Sequence, residues 1–63
     1  MNKALLTDMI IAYETGELNE ENTLKLFAHL IKSGKAWRLQ GHYGRIAYSY
    51  IQQGIISAKG KIL

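Results

Sequence analysis

The stretch from Asn19 to Gly34, NEENTLKLFAHLIKSG, reads as a complete helix with both of its ends marked. Asn19 is an N-cap residue whose side-chain oxygen can accept an otherwise unpaired first-turn amide. Glu20 and Glu21 put negative charge where the helix dipole is positive. Leu24, Phe27, Ala28 and Ile31 then recur at intervals of three and four, the period of one helix face, and Leu30 broadens it. Lys32 in the last turn and Gly34 just past it are stop signals. Propensity, charge placement and periodicity agree, so the segment predicts a helix over 20–33 with an apolar face to cover.

On its N-terminal side lies a second helical pattern, from about Lys3 to Thr15. Leu5, Met9 and Tyr13 repeat at every fourth position, and Leu6 with Ile10 widens the stripe. Asn2 is placed to cap this segment and Gly16 to end it. On the C-terminal side, Leu39, Tyr43, Ile46, Ala47 and Tyr50 keep helical spacing over about 39–53. Gly41 and Gly44 fall near its start, and each costs about 1 kcal/mol relative to alanine inside a helix. The helix therefore begins either at Leu39 or only at Gly41, with Trp37 to Gln40 as a turn. Gly54 reads as its stop. Residues 55–63, IISAKGKIL, are apolar and then basic, and read as a short strand, an arm to a neighbouring subunit or a loose tail. The expected fold is all-α, three helices joined by short turns in one domain spanning 1–63.

The chain has 63 residues and no cysteine. A domain this small buries only about 60% of the surface its unfolded chain exposes, so its core is thin. Disulfides and thiolate metal sites are excluded. His29 and His42 stand 13 positions apart with no acid within seven positions of either, so a structural zinc site is not expected. Self-association is the remaining support, and a homo-oligomer is expected. No apolar run has the length of a membrane span or of a secretory leader, which points to the cytoplasm and to no membrane partner. The net charge is +3, but its distribution says more. All five acids lie between Asp8 and Glu21, while Asn22 to Leu63 holds seven Lys or Arg and no acid. One part of the molecule carries a positive field, which favours anionic partners.

The nine residues from Trp37 to Arg45, WRLQGHYGR, differ in composition from the rest. If the segment from Gly41 onward is helical, His42, Arg45, Ser49 and Gln52 fall on one face. Arg45 reads as a grip for phosphate or carboxylate, as a solvated surface charge, or as a partner of one of the acids on the first two helices. His42 reads as a donor to an anion or, more simply, as a packing residue at a helix start. Trp37 is expected to anchor the core rather than to stack on a base. Tyr43 is expected to pack and Tyr48 to be exposed. Gly41 and Gly44 let a ligand or another backbone come close, and the simpler reading of the two is helix packing. The spacing matches no phosphate loop and no dinucleotide fingerprint.

The run Trp37-x-Leu39-Gln40-Gly41-His42-Tyr43-Gly44-Arg45-x-Ala47, preceded by Gly16-Glu17-Leu18 and followed by Gly54, resembles a family of very small, uncharacterised phage-encoded proteins. The resemblance covers roughly Leu5 to Ile55. It implies a phage origin and action inside an infected bacterium, and it brings no activity, ligand or functional residue.

With no cysteine, no His–carboxylate pair within local reach and no metal set, the usual acid, base and nucleophile combinations are not assembled, so the protein is not expected to be an enzyme and calls for no cofactor. The expectation is a non-enzymatic accessory protein that binds a host protein or sequesters a small anionic, nucleotide-like ligand. Its expected contacts are Arg38, Gln40, Gly41, His42, Gly44, Arg45 and Ser49. The alternative is a nucleic-acid regulator in which Arg38, Gln40, His42 and Arg45 sit on the reading element of a helix-turn-helix-like unit.

Overall fold

The structure, a computed structural model, describes residues 2–63. The chain forms an all-α domain of three helices, α1 (Lys3–Glu14), α2 (Glu20–Ser33) and α3 (Gly41–Gln52), with a single 3-10 turn (Lys35–Trp37) between α2 and α3. Each helix begins and ends for local reasons. The Asn2 side chain accepts the Leu5 amide and the Asn19 side chain accepts the Asn22 amide, both at 2.8 Å, so α1 and α2 open on the side-chain caps that their sequences specify. At the other end of α1 the Gly16 amide bonds to the Tyr13 carbonyl and the Glu17 amide to the Ala12 carbonyl. Gly54 and Ile55 repeat this pattern on Ile51 and Tyr50 after α3. Both are Schellman endings, and they give the last carbonyls of the helix the donors they would otherwise lack.

α2 is the centre of the molecule. It contributes Leu26, Phe27, Ala28, Leu30 and Ile31 to the ten buried hydrophobic residues; α1 adds Leu6, the 3-10 turn Ala36, α3 Tyr43 and Ala47, and the closing loop Ile56. Leu26 lies outside the stripe read from the sequence yet is fully buried. A helix covered on several sides needs a wider apolar face than one resting on a single neighbour.

Two expectations are corrected here, and one alternative left open by the sequence is decided. Leu5 and Leu39, read as core positions, are 49% and 38% exposed. On α1 the stripe that meets α2 is centred on Leu6 and Ile10, one residue later than the Leu5 series, which leaves Leu5 on its edge. Trp37, expected to anchor the core, is 51% exposed. Successive residues of a 3-10 turn point about a third of a turn apart, so only one of Ala36 and Trp37 can face inward. Alanine takes that place, and α2 and α3 both pack close to the turn through it. Finally, α3 starts at Gly41: the Lys35 carbonyl accepts the amides of Arg38 and Leu39, which closes the 3-10 turn, and Gln40 is extended with ψ 151° before the helix opens.

The last nine residues fold back on their own domain. Ile56 is fully buried and pairs with Ile62 in an isolated antiparallel bridge, with the Leu63 amide bonded to the Ile55 carbonyl. Ser57 Oγ accepts the amides of Lys59 and Lys61 and holds the turn between them. Gly60 makes the docking possible. Its φ is +87°, and a Cβ there would lie 2.6 Å from the Ala28 carbonyl oxygen and 2.7 Å from Lys32 Cβ. Only a residue with no side chain lets the loop lie this close to α2.

Candidate functional site

The residues singled out by sequence fall on three different sides of α3. At 100° per residue, Gly41, Arg45, Tyr48 and Gln52 share the outer face, and Tyr43, Ala47 and Tyr50 the inner one. Gly44 lies on the flank next to the 3-10 turn, and His42 and Ser49 on the flank next to α1.

The α1 flank is a structural joint. The Tyr13 hydroxyl and His42 Nε2 are hydrogen-bonded at 2.7 Å, and the Tyr43 hydroxyl donates to Glu14 Oε2 at 2.6 Å. Tyr13, Phe27, Tyr43 and Tyr50 stand within one aromatic cluster, with Tyr13 edge-on to Phe27 at 5.3 Å and Phe27 stacked on Tyr43 at 6.0 Å. Burial, followed by the Glu14 hydrogen bond and charge, pushes the Tyr43 phenol well above its ordinary range. Burial also raises Tyr13, helped by Tyr50 and Glu14, and raises Tyr50, helped by Glu20. These phenols keep their protons at neutral pH and serve as donors and packing surface. His29, on α2, is pushed down by burial and then by nearby positive charges, including Lys35 and Lys32, so it is neutral there too. Ser49 accepts a hydrogen bond from Gln53 Nε2 at 2.8 Å within its own helix end.

On the other flank Gly44 sits against the 3-10 turn. A Cβ on it would lie 3.5 Å from the Ala36 carbonyl oxygen and 3.8 Å from Trp37 Cε3, which is ordinary contact, so an alanine would fit and packing does not require a glycine there. Gly41 has open space where a side chain would be. The Gln40 side chain makes no capping hydrogen bond to α3.

Arg38 and Arg45 are exposed, and the one ion pair among the described residues joins Lys25 and Glu21 at 3.9 Å. The reading of Arg45 as paired with the acids of the first two helices is therefore not what the geometry presents. Trp37 is half exposed and lies against Gly44, Tyr48 is 58% exposed one turn further along α3, and Leu39 is 38% exposed. Sequence reasoning assigned Trp37 to the core because it is the chain's one indole, and it missed the Tyr43–Glu14 bond, whose partners are 29 positions apart. It also missed an open groove of about 300 Å3 on another part of the molecule, lined by Leu5, Met9, Leu18, Asn22 and Lys25.

Among the described residues, no three His, Cys, Asp or Glu side chains gather where they could hold a metal, and no helix is long and apolar enough to cross a membrane. Fold and site together define a small three-helix domain, closed by a docked loop, that displays cations and aromatic rings on its surface. The chain belongs to the family described as a domain of unknown function, DUF7417, whose model matches residues 2–63. No curated protein and no solved structure matches it.

Proposed function

We propose that this is a non-enzymatic accessory protein that works by docking onto another protein through the face made by Trp37, Arg38, Leu39, Arg45 and Tyr48. The observation that carries the reading is the exposure of Trp37, next in the chain to exposed Arg38, with Arg38 and exposed Arg45 both outside the one ion pair among the described residues. Trp, Tyr and Arg are the residues that most often dominate binding energy at protein interfaces, and a tryptophan left half in water is costly unless something covers it. The arginines select a partner surface that is acidic around an apolar centre. A small ligand is usually enclosed over most of its surface, whereas these five side chains stand on an open face and line no part of the groove. The resemblance to phage-encoded proteins supports a setting in the cytoplasm of an infected bacterium and a host factor as the target.

Of the contacts read from sequence, Arg38 and Arg45 belong to this face, and Gln40 and Gly41 border it. His42 joins the helix that carries it to α1, Gly44 lies against the 3-10 turn, and Ser49 bonds within its own helix end. The test is capture of host proteins by Arg45→Ala and by a control, Lys3→Ala, outside the face. Arg45→Ala is expected to lose the captured protein while helical circular dichroism and melting temperature stay unchanged, and Lys3→Ala to keep it. Equal capture by both variants refutes the reading. An adduct of a few hundred daltons in native mass spectrometry, lost in Arg45→Ala, would replace it with small-anion sequestration. Salt-dependent DNA binding with the same loss would replace it with nucleic-acid recognition.

A further inference from the structure

We propose that Lys32, Lys35, Lys59 and Lys61 form one positive patch that binds the phosphate backbone of duplex nucleic acid, whatever its sequence. The proposal uses none of the residues of the Trp37 face and stands independently of that reading. Folding gathers these lysines from the end of α2, the 3-10 turn and the closing loop. Gly60 is the link, because a Cβ on it would lie 2.7 Å from Lys32 Cβ. Consecutive Cα atoms are about 3.8 Å apart, so the Cα atoms of Lys59 and Lys61 are held within about 8 Å of Lys32 Cβ. Ser57 fixes the turn that carries them. Its Oγ accepts both lysine amides, its carbonyl accepts the Gly60 amide, and its own amide donates to the Lys61 carbonyl. The backbone of the two lysines is thus set before any partner arrives, which lowers the ordering cost of binding. Lys35 opens the 3-10 turn. After burial, positive charges that include Lys35 and Lys32 push His29 down, so both fields meet one turn before the end of α2.

All four lysines are exposed, and none belongs to the one ion pair among the described residues. The second half of α2, the 3-10 turn and the closing loop contain no acid. Glu20 and Glu21 stand at the other end of α2, about 16 Å or more from Lys32 along the helix axis. That is twice the screening length of about 8 Å at physiological salt. On α1, Glu14 is bonded to Tyr43 and Asp8 enters no ion pair. Lysine ammoniums are compact point charges that read charge density rather than a particular planar group. Spread over an exposed helix end and turn, they suit a partner whose charges repeat along its length, and a DNA duplex carries one about every 1.7 Å. Stable attachment to a bilayer adds an apolar helix face to insert. Here the loop's exposed apolar residues, Ile62 and Leu63, are tied to Ile56 and Ile55 instead.

Fluorescence anisotropy with two labelled DNA duplexes of equal length and unrelated sequence, repeated over a range of salt concentrations, tests this. Wild type is expected to bind both alike, with log affinity falling against log salt at a slope of about −3 to −4, as for four phosphate contacts. The double variant Lys59→Ala/Lys61→Ala is expected to make that slope shallower by about two while its helical circular dichroism is unchanged. Lys25→Ala/Arg45→Ala removes the same charge from elsewhere and is expected to keep the wild-type slope. An absence of duplex binding at low salt overturns the proposal. An equal loss in the two double variants overturns it as well, since a diffuse field rather than a patch would then be at work. A clear preference for one duplex would mean that bases are read, against the backbone contact proposed. Binding to phosphatidylserine vesicles without duplex binding, lost in Lys59→Ala/Lys61→Ala, would give the patch to a membrane instead.

Discussion

Tyr43 and Trp37 show how far neighbouring aromatic side chains diverge in role. The Tyr43 hydroxyl, buried beside Phe27, ties α3 to the last residue of α1 through Glu14. Tyr43→Phe is expected to lower stability by about 1.5 kcal/mol, the low end for a hydrogen bond to a charged acceptor because Glu14 is exposed to solvent. Urea unfolding measures it. The raised phenols of Tyr13, Tyr43 and Tyr50 give a pH dependence with a definite sign. Below the ordinary phenol value of 10.0 both folded and unfolded chains hold these protons and the contribution is intact. Above it the unfolded chain releases them first, so stability falls as pH rises. Alkaline unfolding curves should show this fall, and a shallower one in Tyr43→Phe. Trp37→Ala removes a side chain that is half in water, so its expected cost is under about 1 kcal/mol, well below the 3–5 kcal/mol typical of a buried tryptophan. A variant that unfolds would return Trp37 to the scaffold.

At the scale of elements, what decides is how each one ends. Asn2, Asn19 and the paired Schellman endings are local devices, each made within about five residues, and they stand where the sequence marks them. The start of α3 is different. Leu39 keeps helical spacing with Tyr43, but the Lys35 carbonyl has already captured its amide, and the 3-10 turn displaces the first turn of helix. The closing loop depends on one glycine. Gly60→Ala meets a left-handed backbone, worth about 1–2 kcal/mol by itself, and adds a clash with the α2 backbone at Ala28 and Lys32. The expected outcome is an undocked loop. Hydrogen exchange should then be faster at Ser57 and Leu63, whose amides bond within the loop, than at the centre of α2.

For the molecule as a whole, ten buried hydrophobic residues make a small core, and one of them, Ile56, comes from the closing loop. Below about 70 residues a single core rarely yields more than about 3–5 kcal/mol of net stability. Ile56→Ala is expected to cost about 2–5 kcal/mol, so it should shift the whole population toward the unfolded state rather than loosen the loop alone. Thermal melting followed by circular dichroism separates the outcomes. A variant that keeps the wild-type melting temperature would show that the three helices are stable without the loop. The same thin core accounts for the apolar surface left outside it at Leu5, Ile11, Trp37 and Tyr48. With so few residues, interior positions run out before the large side chains do.

The sequence by itself determined the all-α class, the extent of α2, the caps at Asn2 and Asn19, the stops at Gly16, Gly34 and Gly54, the burial of Tyr43 and the exposure of Tyr48. It also showed the separation of acids from bases along the chain. These are properties of short range, set by backbone conformation, periodicity and the field of a single helix. Tertiary structure alone decided that Ala36 rather than Trp37 turns inward, that Tyr43 finds Glu14 and Tyr13 finds His42, and that the last nine residues cover their own domain. Each of those depends on which element arrives first at the surface of α2 and how close it can come. That is settled by the fit of side chains far apart in sequence, which no local pattern carries.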